Sequence, residues 1–303
     1  MSTELSPLKI SGLTKKYGKN IAVNNISLEL SRGDVFGFLG PNGAGKSTTI
    51  RAILNFLQPT SGSIEVFSLD SVKSSRDIMR VTGYLAGDIA LYENMTGKQL
   101  IRYLSSLRGN TDFDYANSLA ERFQATLDKP IRSLSKGNKQ KIGLIQAFMS
   151  RPELVILDEP TSGLDPLMKQ TFYEIVRESS ATGSTIFLSS HDLTEVQKIC
   201  NRVGFIRAGE LVSADEIGAH SQVSFRQYTI KFSSSPPKQD LANLPGVTSL
   251  TTERSQATLT VSGHIGDFLR ALNNYDVLDL ESNDVDLEDI FMHYYRKADE
   301  ETK

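Results

Sequence analysis

Gly40-Pro41-Asn42-Gly43-Ala44-Gly45-Lys46-Ser47, followed by Thr48, is a run whose residue types suit a chain of phosphates. Its glycines let the backbone bend closely around anionic oxygens and aim amide N–H groups at them. Lys46 adds a cation that reaches β- and γ-phosphates, and the Ser47 hydroxyl is a ligand for Mg2+. The spacing (glycine, four residues, Gly-Lys-Ser) fits the Walker A pattern. A second constellation, Leu154-Val155-Ile156-Leu157-Asp158-Glu159, is an apolar run that ends in two carboxylates. A strand of this kind delivers both acids to the carboxyl end of a sheet, where ligands bind in open α/β folds. Asp158 is the expected Mg2+ ligand, directly or through water. Glu159 is expected to orient and polarise an attacking water, an effect of position and field, since a carboxylate is a weak base at neutral pH.

Such residues work only if the chain positions them. The apolar run Asp34 to Leu39 reads as a buried strand before the glycine turn, and Lys46 to Leu57 as a helix after it, ended by Gln58-Pro59. The helix N-terminus then adds partial positive charge at the turn. Residues 8 to about 30 alternate apolar and polar, which predicts antiparallel strands around Tyr17-Gly18-Lys19-Asn20. Leu154 to Leu157 and Thr185 to Leu188 are further short apolar runs with helical segments between, which predicts a largely parallel sheet covered by helices. Thr96 to about Leu127 reads as a helical insertion. Ser213 to Ser224 has few apolar anchors and reads as a linker. Beyond it, Tyr228 to Phe232, Val247 to Thr252, Ala257 to Val261 and Val277 to Glu281 read as strands, and Ile265 to Leu272 and Leu287 to Tyr295 as helices.

The 303 residues suit one large domain plus a small one. A net charge of -3 is close to balanced and excludes a general nucleic-acid binder. One cysteine, Cys200, excludes an internal disulfide framework and fits a reducing compartment. The sequence has no apolar run long enough to span a bilayer, and Met1 to Lys9 lacks the apolar centre of a signal peptide. The expected location is cytoplasmic.

Leu134-Ser135-Lys136-Gly137-Asn138, followed by Lys139-Gln140-Lys141, resembles the signature motif of ATP-binding cassette (ABC) proteins. Pro160-Thr161-Ser162-Gly163-Leu164-Asp165 looks like that family's D-loop, Ser190-His191 like its switch histidine, and Tyr17 like the aromatic that stacks on adenine. The order of all the elements matches the cassette over residues 8 to about 212. The resemblance implies a P-loop NTPase ABC cassette of α/β class over residues 1–220, with a parallel core sheet, an antiparallel β subdomain and a helical insertion at about 90–130. A small α+β accessory domain would follow at 221–303. It further implies the roles of the side chains. ATP and Mg2+ are the ligands. Tyr17, the loop Gly40 to Thr48, Ser135, Gly137 and Asp165 bind nucleotide, with Ser135 and Gly137, ahead of a helix from Asn138 onward, facing the phosphate held by an opposite subunit. Glu159 and His191 are catalytic, and Ser47 and Asp158 hold the metal. The implied partners are a second ABC subunit, identical or different, and an integral membrane permease, with the chain peripheral on the inner face of the cell membrane. The C-terminal appendix resembles the drug and peptide exporter branch.

The pattern departs in two places. Gly87 stands where the family has its Q-loop glutamine, which leaves Asp88 as a candidate oxygen ligand, and the signature carries Lys136 and Asn138 for Gly and Gln. Two alternatives stay open beside the transport motor. One is a soluble ABC ATPase, disfavoured by a single cassette without heptads. The other is a nucleotide-gated regulator with little hydrolysis, motivated by Gly87 and opposed by Glu159 and His191.

Overall fold

A computed structural model describes residues 5–108, 112–216, 226–261 and 265–284. By its contacts the chain divides into two compact units, Met1–Ala214 and Asp215–Lys303. In chain order the first runs β1 (Leu8–Tyr17), β2 (Asn20–Leu30), β3 (Val35–Leu39), α1 (Lys46–Ile53), β4 (Ser61–Val66), β5 (Leu69–Asp70), α2 (Ser75–Val81), β6 (Thr82–Leu85), α3 (Gly97–Arg108), α4 (Phe113–Arg122), α5 (Lys136–Phe148), β7 (Leu154–Asp158), α6 (Pro166–Ala181), β8 (Thr185–Ser190), α7 (Leu193–Ile199), β9 (Arg202–Arg207) and β10 (Glu210–Glu216), with a 3-10 turn at Ile131–Ser133.

Two sheets carry this unit. One is antiparallel, in the order β2-β1-β4-β5; the other has six strands in the order β10-β9-β3-β8-β7-β6. In the larger sheet β3 pairs in parallel with β8 and β9, and β7 with β6 and β8. Every residue of β3, β7 and β8 is buried, which is why these segments read as continuous apolar runs rather than alternating ones. Phe187 of β8 locks the centre, its ring 5.6 Å from Phe36 and 5.4 Å from Phe38. The same core takes Ile50, Ala52 and Ile53 from α1, so burial of that face fixes the helix against the sheet.

Two helix boundaries differ from the sequence expectation. The helix expected to reach Leu57 stops at Ile53. Asn55 turns left-handed at φ +55°, and the N–H groups of Phe56 and Leu57 double back onto the Arg51 carbonyl at 2.8 and 3.1 Å. Pro59 comes after the stop and does not cause it. The helix expected from Asn138 begins two residues earlier, at Lys136, because Ser135 is its N-cap and accepts the Asn138 N–H at 3.2 Å. The insertion forms α3 and α4, with Asp112 capping α4 through the Tyr115 N–H.

The second unit contains β11 (Arg226–Phe232), α8 (Lys238–Ala242), β12 (Val247–Glu253), β13 (Gln256–Val261), α9 (Ile265–Leu272) and β14 (Val277–Asp284). Its sheet has the order β12-β13-β11-β14, with antiparallel pairs throughout. Tyr228, Ile230 and Phe232 alternate inward along β11, and Phe268 of α9 stacks on Tyr228 with ring centroids 5.2 Å apart. The expected helix Leu287 to Tyr295 lies outside the described residues, as does most of the expected linker; its first residues belong to β10.

Candidate nucleotide-binding and hydrolysis site

The parallel register brings three strand ends together. Leu39 lies beside Ser190, and Asp158 beside Ser189, so the glycine loop, the acid pair and His191 all leave the same edge of the sheet. The Gly40 N–H donates to the Ser190 carbonyl at 3.4 Å, which ties the start of the loop to the histidine strand. Gly45 enters α1 at φ +112°, and a Cβ there would sit 2.6 Å from the Ala22 carbonyl oxygen, so only glycine fits.

Lys46 is 6% exposed. Its ammonium donates to the carbonyls of Gly40 at 2.6 Å and Pro41 at 3.2 Å, and lies 3.5 Å from Glu159 Oε1. The other oxygen of Glu159 is 2.7 Å from His191 Nδ1, so one carboxylate bridges the lysine and the histidine. Asp158 is 4% exposed and accepts a hydrogen bond from the Ser189 hydroxyl. A Cβ placed on Gly87 would lie 3.1 Å from Asp158 Oδ2, so this position faces the acid. Asp88 is exposed on the rim of a 290 Å³ cavity lined also by Gly87, Ile89, Ala90, Lys136, Lys139 and Gln140. Asn42 and Gly43 are exposed, Ala44 is buried, and Ser47 and Thr48 are half-buried at the first turn of α1. Tyr17 ends β1 with its ring 48% exposed and the Lys15 ammonium 5.4 Å over it.

Ser135, Gly137 and Asp165 gather elsewhere. A Cβ on Gly137 would sit 2.8 Å from the Gly163 carbonyl oxygen, so the start of α5 is packed on the loop after Glu159. Asp165 caps α6, accepting the Met168 N–H at 3.0 Å. Ser135 caps α5 and Asp165 caps α6; the hydrogen bonds that close around Lys46 come from Gly40 and Pro41.

Three residues that hold the site were not singled out in the sequence. Glu159 sits at φ +51°, a strained conformation for a side-chain-bearing residue. Its N–H is held by the Ser189 carbonyl at 3.2 Å and hydroxyl at 3.1 Å. Gln140, 2% exposed, donates to the Pro160 carbonyl at 2.7 Å and the Glu159 carbonyl at 3.4 Å. Glu195, also 2% exposed, accepts from the Thr161 hydroxyl at 3.0 Å and the Ser190 hydroxyl at 2.9 Å, both on Oε2. The only sequence signal was a hydroxyl pair closing an apolar run and polar residues on helix faces, a pattern usual for solvated surface.

Burial pushes the Glu195 carboxyl up to about 6, against the pull of the Ser190 and Thr161 hydroxyls and Lys169, with Asp192 adding to the rise. The same charge acts on its other neighbours: Tyr173 is pushed up to about 12, by burial first and then by Glu195 and Asp192, and burial and Glu195 push the Cys200 thiol well up. An acid raised in the folded state is neutral in both states below 4.5, but above about 6 the fold must hold a buried charge that the unfolded chain exposes to water. Its contribution to stability therefore falls as pH rises between those values. Glu195→Gln is expected to gain stability over the original across that window, by up to about 2 kcal/mol above pH 6. Melting curves from pH 4 to 8 check this, and a difference independent of pH would contradict it.

Residues 23–162 match the family described as ABC transporter. The chain is 36% identical over 211 residues to the bacitracin transport ATP-binding protein BcrA of Bacillus licheniformis, covering 68% of each. To the lantibiotic transport ATP-binding protein SrtF of Streptococcus pyogenes it is 35% identical over 210 residues, covering 69% of this chain and 90% of that one. The chain belongs to the ATP-binding subunits of ABC transporters. Its class is that of an ATP-binding ATPase in transport. The solved ATP binding subunit of an ABC transporter is 28% identical, with a TM-score of 0.66 over 70% of this chain and 90% of that one. A dimeric bacterial ABC transporter cassette, 18% identical with a TM-score of 0.65, shares the fold. All these matches fall short of the whole chain, and the 70% covered by the structures is close to the share occupied by the first unit. Among the described residues no helix is long and apolar enough to cross a membrane.

Proposed function

We propose that this cassette is the motor of a membrane exporter, working as a head-to-tail pair with two ATP molecules between the subunits. Two groupings on one chain support the pairing: Lys46 is bonded to the chain's own glycine loop and lies against Glu159, while Ser135 caps α5 and Gly137 packs on Gly163. A helix N-terminus favours an anion, and head-to-tail pairing supplies the phosphate of the other subunit. In this reading the loop from Gly40 to Thr48 wraps the phosphates, and Tyr17 offers its exposed face to adenine. Lys46 exchanges the Gly40 and Pro41 carbonyls for phosphate oxygens. Glu159 orients the attacking water, while His191 bonds the γ-phosphate and senses its loss. Asp165 lies on the face turned to the second subunit.

The donor set fits Mg2+. Among the described residues no group of three or more His, Cys, Asp or Glu could hold a metal ion alone, and Mg2+ is usually held by one or two carboxylates together with substrate phosphates and water. Asp158 and Ser47 would hold it, and the ion would neutralise charge on the phosphates. Asp88, which follows Gly87 in the chain, would supply a polar group that Gly87 lacks. Asp88→Ala is expected to lower ATPase turnover about tenfold, as for groups that orient a ligand shell; unchanged turnover removes Asp88 from the mechanism.

The exporter reading draws on the relatives named for bacitracin and lantibiotic transport and places the chain on the cytoplasmic face of a membrane, bound to a permease. Purification of the tagged full chain from detergent-solubilised membranes tests it. A multi-span protein is expected to come along, and adding it back is expected to stimulate ATP turnover. Recovery of the chain free of any integral protein would overturn the reading.

A further inference from the structure

The contact between Glu159 and His191 is open to solvent, with the histidine side chain 63% exposed. Behind it lies a second, buried connection between the same two loops. Thr161 is two residues past Glu159, Ser190 is one residue before His191, and both hydroxyls end on the single oxygen Oε2 of Glu195. Ser190 also accepts the Asp192 N–H at 3.0 Å, and Asp192 accepts the Glu195 N–H at 3.2 Å, so the turn carrying His191 is closed on the same residue. We propose that Glu195 is a positioning residue for hydrolysis: by gathering Thr161 and Ser190 on one carboxylate oxygen, it sets the separation of Glu159 and His191. This rests on the reading of that pair as the hydrolytic machinery.

Two points support this. Hydrogen bonds in a buried, low-dielectric place hold geometry better than an exposed contact that water competes for. The second oxygen of Glu195, Oε1, is buried with no hydrogen-bond partner, a costly condition that native folds rarely keep without a role. An apolar side chain of similar volume would remove that cost but would release both hydroxyls. The groups that face the carboxylate are Lys169 and Tyr173 from α6, Asp192 from the histidine turn and Cys200 after α7.

A purely structural residue and a positioning residue respond differently to two substitutions. Glu195→Met in the purified full chain is expected to lower kcat between roughly 10-fold and 100-fold, the range expected when a reacting group is displaced by about 1 Å. Its Kd for ATP is expected within about twofold of the original, because the glycine loop and Lys46 are untouched. Glu195→Gln keeps one acceptor oxygen for the two hydroxyls and is expected to retain most of kcat at neutral pH. If Glu195→Met does not fold, Thr161→Val and Ser190→Ala each cut one tie and are expected to lower kcat severalfold with unchanged ATP affinity. Full kcat in Glu195→Met, or in both hydroxyl variants, overturns the proposal. Glu159→Gln run alongside separates the two levels. If it turns over normally, the hydrolytic reading itself has failed; if it is inactive while the Glu195, Thr161 and Ser190 variants are fully active, only the positioning role has.

Discussion

Glu159→Gln is expected to bind ATP at least as tightly as the original chain and to hydrolyse it slower by roughly a hundredfold or more. The amide has the size of the carboxylate and stays in the same strained turn, held at φ +51° by Ser189 and Gln140 from either side. What changes is charge. Glu159 stands 3.5 Å from Lys46 and 2.7 Å from His191, where the proposed function has it aim a water at the γ-phosphate. Without the negative charge that water loses its orienting field, while the repulsion between carboxylate and triphosphate also disappears. The variant is therefore expected to accumulate as a closed pair with ATP trapped, visible as a nucleotide-dependent dimer in size-exclusion chromatography. Hydrolysis at the original rate would remove Glu159 from the chemistry.

Lys46→Ala acts one step earlier. The ammonium is almost fully buried and rests on two carbonyl oxygens and one carboxylate, acceptors that phosphate oxygens would replace in the proposed complex. Removing the ammonium leaves Glu159 behind, but that carboxylate is 24% exposed and keeps its contact with His191, so it is not an uncompensated buried charge. Loss of the ammonium is thus expected to leave the fold standing and to be felt in binding. Loss of a desolvated cation from a phosphate contact costs about 3 kcal/mol or more, roughly a hundredfold in Kd. Titration with a fluorescent ATP analogue measures this directly, and an unaltered affinity would contradict the cradle.

The phosphate loop and the acid strand were legible in the sequence because each couples a chemical pattern to a local one. Gly40 to Ser47 lies between a buried run and a helix, and Asp158 and Glu159 end a strand buried on both faces. The signature and switch residues became legible through family resemblance, not through periodicity. What stayed hidden depends on contacts across the sheet. Ser189 meets Asp158 only because β7 and β8 are in register, Gln140 reaches the Pro160 carbonyl from a different helix, and Glu195 reads as one more polar residue on α7. Helix ends were misread for a local reason: a proline at position 59 looked like the stop, whereas Asn55, able to turn left-handed, ended α1 sooner.

Gly137 approaches the Gly163 carbonyl so closely that no side chain fits between them. The first turn of α5 and the segment leading from Glu159 are therefore in direct backbone contact. In the proposed head-to-tail pair, a pull on that turn from the second subunit would reach the segment after Glu159 at this contact, which would keep the two reaction centres from resetting in isolation.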